Sequence, residues 1–211
     1  MSSPSGLFNI FEPGLVRGAA KLNYQPHKRY FYVENPIEGW RVYVRMACFI
    51  REETNSEPSR FLVVKRKDST PSSRAWEPPK GQMEGKDAKP EDAPLIELMA
   101  ENVRRETFEE AKIKKINNLR YTGLVVQSRE DDYPPNHYFQ YHLFQATTTS
   151  QEIEIAQDTF KWLNAHPKAF ARMKSDVREK DALAWFDPKK TKMMGRWSPS
   201  IVALYLQQSK V

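Results

Sequence analysis

The sequence is poor in the features that define several protein classes. It has a single cysteine, Cys48, in 211 residues, which excludes an internal disulfide framework and a cysteine-based zinc site. Cys48 lies in the apolar run Met46-Ala47-Cys48-Phe49-Ile50, so a buried, inert thiol is expected. No apolar stretch approaches the ~20 residues that a membrane-spanning helix needs, and no internal repeat or low-complexity tract is present. The N-terminus lacks a basic start before an apolar run, so no secretory leader is expected. Residues 7–22 carry Arg17 and Lys21 against Glu12, which leaves a mitochondrial presequence open, although Pro13 and Gly14 interrupt any amphipathic helix. The cytoplasm is the expected compartment, with nucleus and mitochondrion left open.

What is present can fill a core. Hydrophobic residues make up 39% of the chain, with five Trp, nine Tyr and eleven Phe, which argues against global disorder. The length suits one domain, residues 40–211, preceded by an arm, residues 1–39, packed on it. The formal charge of +6 points to polyanionic partners, but it is unevenly spread. Residues 91–111 hold two basic and seven acidic side chains, whereas residues 112–211 hold sixteen basic and ten acidic. A short acidic island therefore sits in a basic chain.

Strands are expected over residues 41–50, 60–67, 119–127 and 138–146, from β-branched and alternating apolar residues. Residues 182–186 read as a short strand, and Glu152 and Glu154 fall in a strand-like Gln-Glu-Ile-Glu-Ile alternation. Helices are expected over 95–111, over 158–174 with a break at His166-Pro167, and from Ser198-Pro199 to about Gln208. Trp76-Glu-Pro-Pro-Lys-Gly81 is too rich in proline for regular structure. This interleaving makes the chain α/β or α+β.

On a helix over 95–111, Glu106, Glu109 and Glu110 fall within one sector of about 100°, bordering the apolar stripe of Met99, Ala100, Val103, Thr107 and Ala111. A solvated acidic face is the ordinary fate of such a run. Against it, Glu106 and Glu110 repel at i, i+4 unless a cation stands between them, and they sit at the edge of burial. Carboxylates gathered there suit a hard divalent cation such as Mg²⁺. Arg105 has Glu101 and Glu109 at i−4 and i+4 and can brace them.

These residues resemble the Nudix hydrolases, whose box runs Gly, five residues, Glu, seven residues, Arg-Glu, two residues, Glu-Glu, one residue, Gly and an aliphatic. Glu97, Arg105, Glu106, Glu109 and Glu110 match that spacing, Ile113 supplies the aliphatic, and Trp76-Glu-Pro-Pro-Lys80-Gly81 is similar to a lead-in found in many members. Two departures stand out. Ten residues, roughly Glu84 to Ala93, separate Gly81 from its usual distance to Glu97. The box glycine after the helix is Lys112, so a different turn is expected there.

The resemblance implies an α/β/α sandwich with a mixed central sheet. It also implies Mg²⁺- or Mn²⁺-dependent hydrolysis of a pyrophosphate linkage. Glu106, Glu109, Glu110 and the backbone at Gly81 would hold metal, with Glu109, Glu110 and Arg105 in the catalytic set and Glu97 in support. Glu152 and Glu154 are candidates for a base outside the box. Lys80, Arg66 and Lys65 are the expected substrate-binding cations, with Lys86 and Lys89 read as solvated. Tyr133, His137, Tyr138 and Tyr141 could stack a base but more readily pack a core. The basic flanks favour a highly charged substrate, a diphosphoinositol polyphosphate or a dinucleoside polyphosphate. The alternative is capped RNA or RNA binding through Trp162, Trp185 and Trp197, although no RNP or KH signature is present.

Overall fold

The structure, a computed structural model, describes residues 6–23, 26–70, 73–90 and 92–208. Strands β1 (Val16–Lys21), β2 (Arg29–Asn35), β3 (Trp40–Glu52), β4 (Leu62–Arg66), β5 (Trp76–Glu77) and β6 (Lys80–Gln82) precede helix α1 (Leu95–Ala111). Then follow β7 (Asn117–Ser128), β8 (His137–Thr148), α2 (Ser150–Ala165), α3 (Pro167–Ala171), β9 (Lys180–Trp185) and α4 (Trp197–Gln208). The central sheet runs β1-β2-β3-β8-β7, with β6 also paired to β3, and only the β3–β8 pair is parallel. A second sheet, β5-β4-β9, stands apart from it.

Strand β3 organises both layers because its side chains alternate. Val42, Val44, Met46, Cys48 and Ile50 pack with Leu98, Met99 and Val103 of α1 and Ile153, Ala156 and Phe160 of α2. Ala47 and Phe49 face the other way, against Ile201, Val202 and Tyr205 of α4. The result is a mixed sheet between helical layers. Burial pushes the Cys48 thiol well above its ordinary range, consistent with an inert core residue.

The arm has more regular structure than its composition suggests. Val16–Lys21 and Arg29–Asn35 extend the central sheet, because Tyr30, Phe31 and Val33 bury their side chains. Further upstream, Phe8 stacks on Trp40 at 4.6 Å, and its main chain is tied to Gln127 and Gln140. The proline-rich segment is also regular in part: β5 and β6 flank Pro78-Pro79. Proline lacks only a donor, and the Pro79 carbonyl accepts from the Cys48 amide at 2.9 Å.

Two further readings are corrected. Gln151 to Ile155 is helical, not extended. Thr149 caps α2 and its hydroxyl accepts from the Glu152 amide at 3.2 Å, a Thr-x-x-Glu start that overrides the alternation. Helix α2 accordingly begins at Ser150 rather than near 158 and breaks at His166 before Pro167. The turn after α1 is not different in kind. Lys112 adopts the left-handed conformation at φ 61°, ψ 14°, which costs a non-glycine residue about 1 kcal/mol. Its buried ammonium donates to the carbonyls of Glu109 and Val177, which offsets that cost.

Candidate active site

The last two turns of α1 present Glu106, Glu109 and Glu110 to a cavity of about 890 Å³. Register brings the opposite wall into place. Strand β6 pairs with β3, setting Gly81 beside Met46 and Lys80 beside Ala47. Strand β9 pairs with β4, and a register slip between Lys65 and Arg66 sets Arg66 opposite Lys180. Such a slip re-aims side chains, and Lys180 reaches the cavity from there.

Three carboxylates this close need compensation. Arg105 supplies part of it, with Nη atoms 2.8 Å from Glu106, 2.7 Å from Glu109 and 3.1 Å from Asp87. The expected Glu109 brace is present, but Glu101 pairs with Arg104 at 3.5 Å instead. Asp87 comes from the ten-residue insertion. Its carboxylate also accepts from the Glu84 amide at 2.8 Å and the Asn102 side chain at 2.9 Å. The insertion is thus clamped to α1 by the arginine that orders the box. Burial, with Glu110 and Glu109 nearby, raises the Glu106 carboxyl to about 8 despite Arg105.

Glu110 sits in a different environment. Its oxygens accept from the Lys80 amide at 2.9 Å and the Lys180 ammonium at 2.8 Å. Lys180 also contacts Glu77, which pairs with the Lys80 ammonium at 3.1 Å. All four residues are largely buried. Burial opposes ionisation of Glu77, but Lys80 and Lys180 overcome it and hold the carboxyl below its usual range. Burial dominates at Glu110, whose carboxyl is raised. Glu77 and Lys180 escape sequence reasoning. Glu77 occupies a variable position of the lead-in, and Lys180 carries no local signal.

Gly81 is required by close approach. A Cβ there would fall inside 3.0 Å of Cδ and both oxygens of Glu106. This backbone cradle and the oxygen-only donor set fit Mg²⁺ or Mn²⁺. Among the described residues, however, no three acidic or imidazole groups converge tightly enough to enclose an ion. Arg105 bridges Glu106 and Glu109, and Lys180 bridges Glu77 and Glu110.

The remaining candidates divide. Arg66 and Lys80 line the cavity, but Lys65 does not: it pairs with Asp181 at 3.6 Å. Lys86 pairs with Glu84, and neither it nor Lys89 lines the cavity. Glu97 is exposed in the first turn of α1, away from the lining. Glu152 and Glu154 lie on α2, outside the cavity. Glu152 accepts from the amides of Lys114 and Lys115 at 3.0 and 3.3 Å, a connecting role. The acids that do reach the cavity from beyond the box are Asp68, Glu77, Glu84, Asp176 and Glu179. Of the four possible base-stacking residues only Tyr141 lines it, and that ring is 5% exposed. No helix among the described residues is long and apolar enough to cross a membrane.

Comparison with known proteins identifies the family. The NUDIX domain family model matches residues 43–203. Among solved structures, a NUDIX hydrolase from Nitrosomonas europaea is 12% identical, covering 79% of this chain and 90% of that one at a TM-score of 0.45. The NUDIX domain of Shewanella oneidensis NrtR, solved with ADP-ribose, is 10% identical, covering 83% and 93% at 0.47. A Caenorhabditis elegans Ap4A hydrolase is 15% identical, covering 79% and 96% at 0.40. No curated protein sequence matches the chain. With a domain match over about three quarters of its length, the chain belongs to the NUDIX domain family.

Proposed function

We propose that this hydrolase cleaves a pyrophosphate linkage in a small, phosphate-rich substrate, and that a diphosphoinositol polyphosphate suits the cavity better than a dinucleoside polyphosphate. The cavity lining carries this reading. It includes eight cationic and eight acidic side chains, so each divalent cation bound leaves it net positive. Arg66, Lys67 and Arg178 form no ion pair among the described residues, and two of them, Arg66 and Arg178, are exposed. Arg178 donates to the Ala171 carbonyl and Lys67 lies over the Phe170 ring, but none of the three is committed to a carboxylate, which leaves their charge to meet phosphate. The rings in the lining, Tyr30 and Tyr141, are 3% and 5% exposed, which leaves little aromatic face for a base. Trp162, a candidate for RNA contact, is exposed on α2 but stacks on His166 outside the cavity. A cap or RNA reading therefore gains nothing from aromatic placement.

In this reading Glu106, Glu109 and Glu110, with the backbone at Gly81, supply the oxygen donors for Mg²⁺ or Mn²⁺. A divalent cation there would neutralise phosphoryl charge and acidify a bound water. Arg105 holds Glu106 and Glu109 at fixed positions, so little reorganisation is needed as charge develops. Glu109, the most open of the three at 20% side-chain exposure, takes the proton from the attacking water. Arg66, Lys67 and Arg178 orient the remaining phosphates.

A substrate panel with Mg²⁺, read by product identity, tests the reading. Wild type is expected to release phosphate from a diphosphoinositol polyphosphate faster than to split a dinucleoside polyphosphate. Arg66→Ala and Arg178→Ala should raise KM and leave kcat nearly constant. No product from any pyrophosphate, or full activity in Glu106→Gln, overturns it.

A further inference from the structure

We propose that a second cavity, toward the other end of the central sheet, binds a phosphate group between Arg51 and Arg120. The cavity holds about 350 Å³ and shares no lining residue with the one that Glu106, Glu109 and Glu110 enter. That volume lies at the small end of ligand sites.

Strand alternation builds the site. On β3, Arg45 lines the catalytic cavity, Ala47 and Phe49 are buried against α4, and Arg51 lines the second cavity. Arg51 is six residues beyond Arg45, or about 20 Å along the strand. Strand β8 lies between β3 and β7, and its Gln145 stands opposite Phe49 on one side and Arg120 on the other. The two arginines therefore reach one cavity across an intervening strand, from backbones about 10 Å apart.

Charge identifies what the cavity takes. Among the described residues it is lined by these two cations and by no acidic side chain. The acids nearest Arg51 in sequence have other partners: Glu52 accepts from Ser150, Glu53 from Asn117 and Glu57 from Ser59. Arg51 donates from Nη1 to the Ser56 carbonyl at a long 3.4 Å, and its Nε is buried with no hydrogen-bond partner. Arg120 directs Nε and Nη2 at the Gln145 side-chain oxygen, in the amide orientation that satisfies both. Two like charges thus share a cavity without a counter-charge, and a buried charged donor without an acceptor is costly. A dianion relieves both. A phosphate monoester carries about −1.5 to −2 at neutral pH, and guanidinium groups present paired N–H donors that match its oxygens. Inorganic phosphate and a small phosphomonoester both offer that chemistry.

Amide NMR spectra of the ¹⁵N-labelled full chain, recorded at constant ionic strength, test the site. The probes are inorganic phosphate, glycerol 3-phosphate and acetate. At least one of the two phosphates should give saturable shifts at the amides of Arg51, Arg120 and Gln145, with a Kd of about 1 mM or below. The tighter of the two identifies the source. Acetate should bind at least about tenfold more weakly. Arg51→Gln and Arg120→Gln should each weaken phosphate binding by at least about tenfold. Arg66→Ala combined with Arg178→Ala, at the catalytic cavity, should leave these shifts in place. The same spectra report folding, and if Arg51→Gln does not fold, the exposed Arg120 decides through Arg120→Gln. No saturable shift at these amides with either phosphate overturns the assignment. So do an unchanged Kd in Arg120→Gln, acetate binding as tightly as phosphate, or shifts that vanish in the Arg66 and Arg178 double variant.

Discussion

Gly81→Ala probes the site through a single methyl group. The Cβ it adds would lie inside 3.0 Å of Cδ and both oxygens of Glu106. Carbon atoms settle at about 3.5–4.0 Å, so the carboxylate must retreat by more than about 1 Å. It has little freedom to do so, with Arg105 at 2.8 Å on one oxygen and the side chain only 14% exposed. A misplacement of about 1 Å near the reacting atoms costs roughly 10²-fold in rate, or about 3 kcal/mol of activation free energy. The backbone contributes nothing to this loss, because Gly81 lies outside the left-handed region. Alanine there removes some unfolded-chain entropy, worth up to about 1 kcal/mol, but displacing a packed side chain costs about 1–3 kcal/mol, so a net loss of stability of no more than about 2 kcal/mol is expected. The assay is initial-rate hydrolysis at saturating Mg²⁺ beside thermal unfolding of the same sample. Adding Glu106→Asp shortens the clashing side chain by one methylene and should restore part of the rate. Activity of Gly81→Ala within about threefold of wild type, with unchanged Mn²⁺ affinity, would refute the geometry.

Other consequences are independent of that contact. Burial lowers the His142 imidazole to about 3 from an ordinary 6.5, so the unfolded chain binds the extra proton between those values. Its contribution is complete above pH 6.5 and declines as pH falls toward 3, by ~2 kcal/mol at pH 5. Denaturant unfolding at pH 8 and 5 should show a smaller difference in His142→Gln. Lys112→Gly relieves about 1 kcal/mol of left-handed strain but removes two charged hydrogen bonds worth ~1.5–3 kcal/mol each. Net destabilisation by chemical denaturation is expected, and stabilisation would refute the balance. Glu152→Gln should leave kcat/KM unchanged within about twofold, because its carboxylate serves the amides of Lys114 and Lys115. A loss of about 10²-fold, the scale of general-base catalysis, would return it to the chemistry.

What could be read in advance follows from how far each interaction reaches along the chain. Helix α1 runs Leu95–Ala111, matching its expected span, because the apolar stripe and the three glutamates repeat within a few turns. Errors arose where a local pattern had two readings. Gln-Glu-Ile-Glu-Ile alternates like a strand, but Thr149 and Glu152 form a helix start, and a cap satisfying an otherwise unpaired amide decides between them. Pro78-Pro79 suggested irregular chain, yet the ladder there needs an acceptor that proline keeps. Tyr30, Phe31 and Val33 were enough for a strand, but the segment's mixture of glycine and proline hid them.

The electrostatic centre lies beyond local reading for a different reason. Lys180 and Glu77 stand 103 residues apart, and no periodicity relates them. Net charge is equally silent: the chain's excess of basic residues reads as an attractive exterior, whereas in the cavity eight cations meet eight anions. The division that matters is between cations already committed and those still free. Lys80, foremost among the expected phosphate ligands, is spent on Glu77, while Arg66, Lys67 and Arg178 at the cavity wall are not. A buried ammonium removed from water holds its charge only because carboxylates surround it. The sequence motif therefore locates the acids, but the ion pairs that hold Glu110 are set by a lysine and a glutamate that only folding brings together.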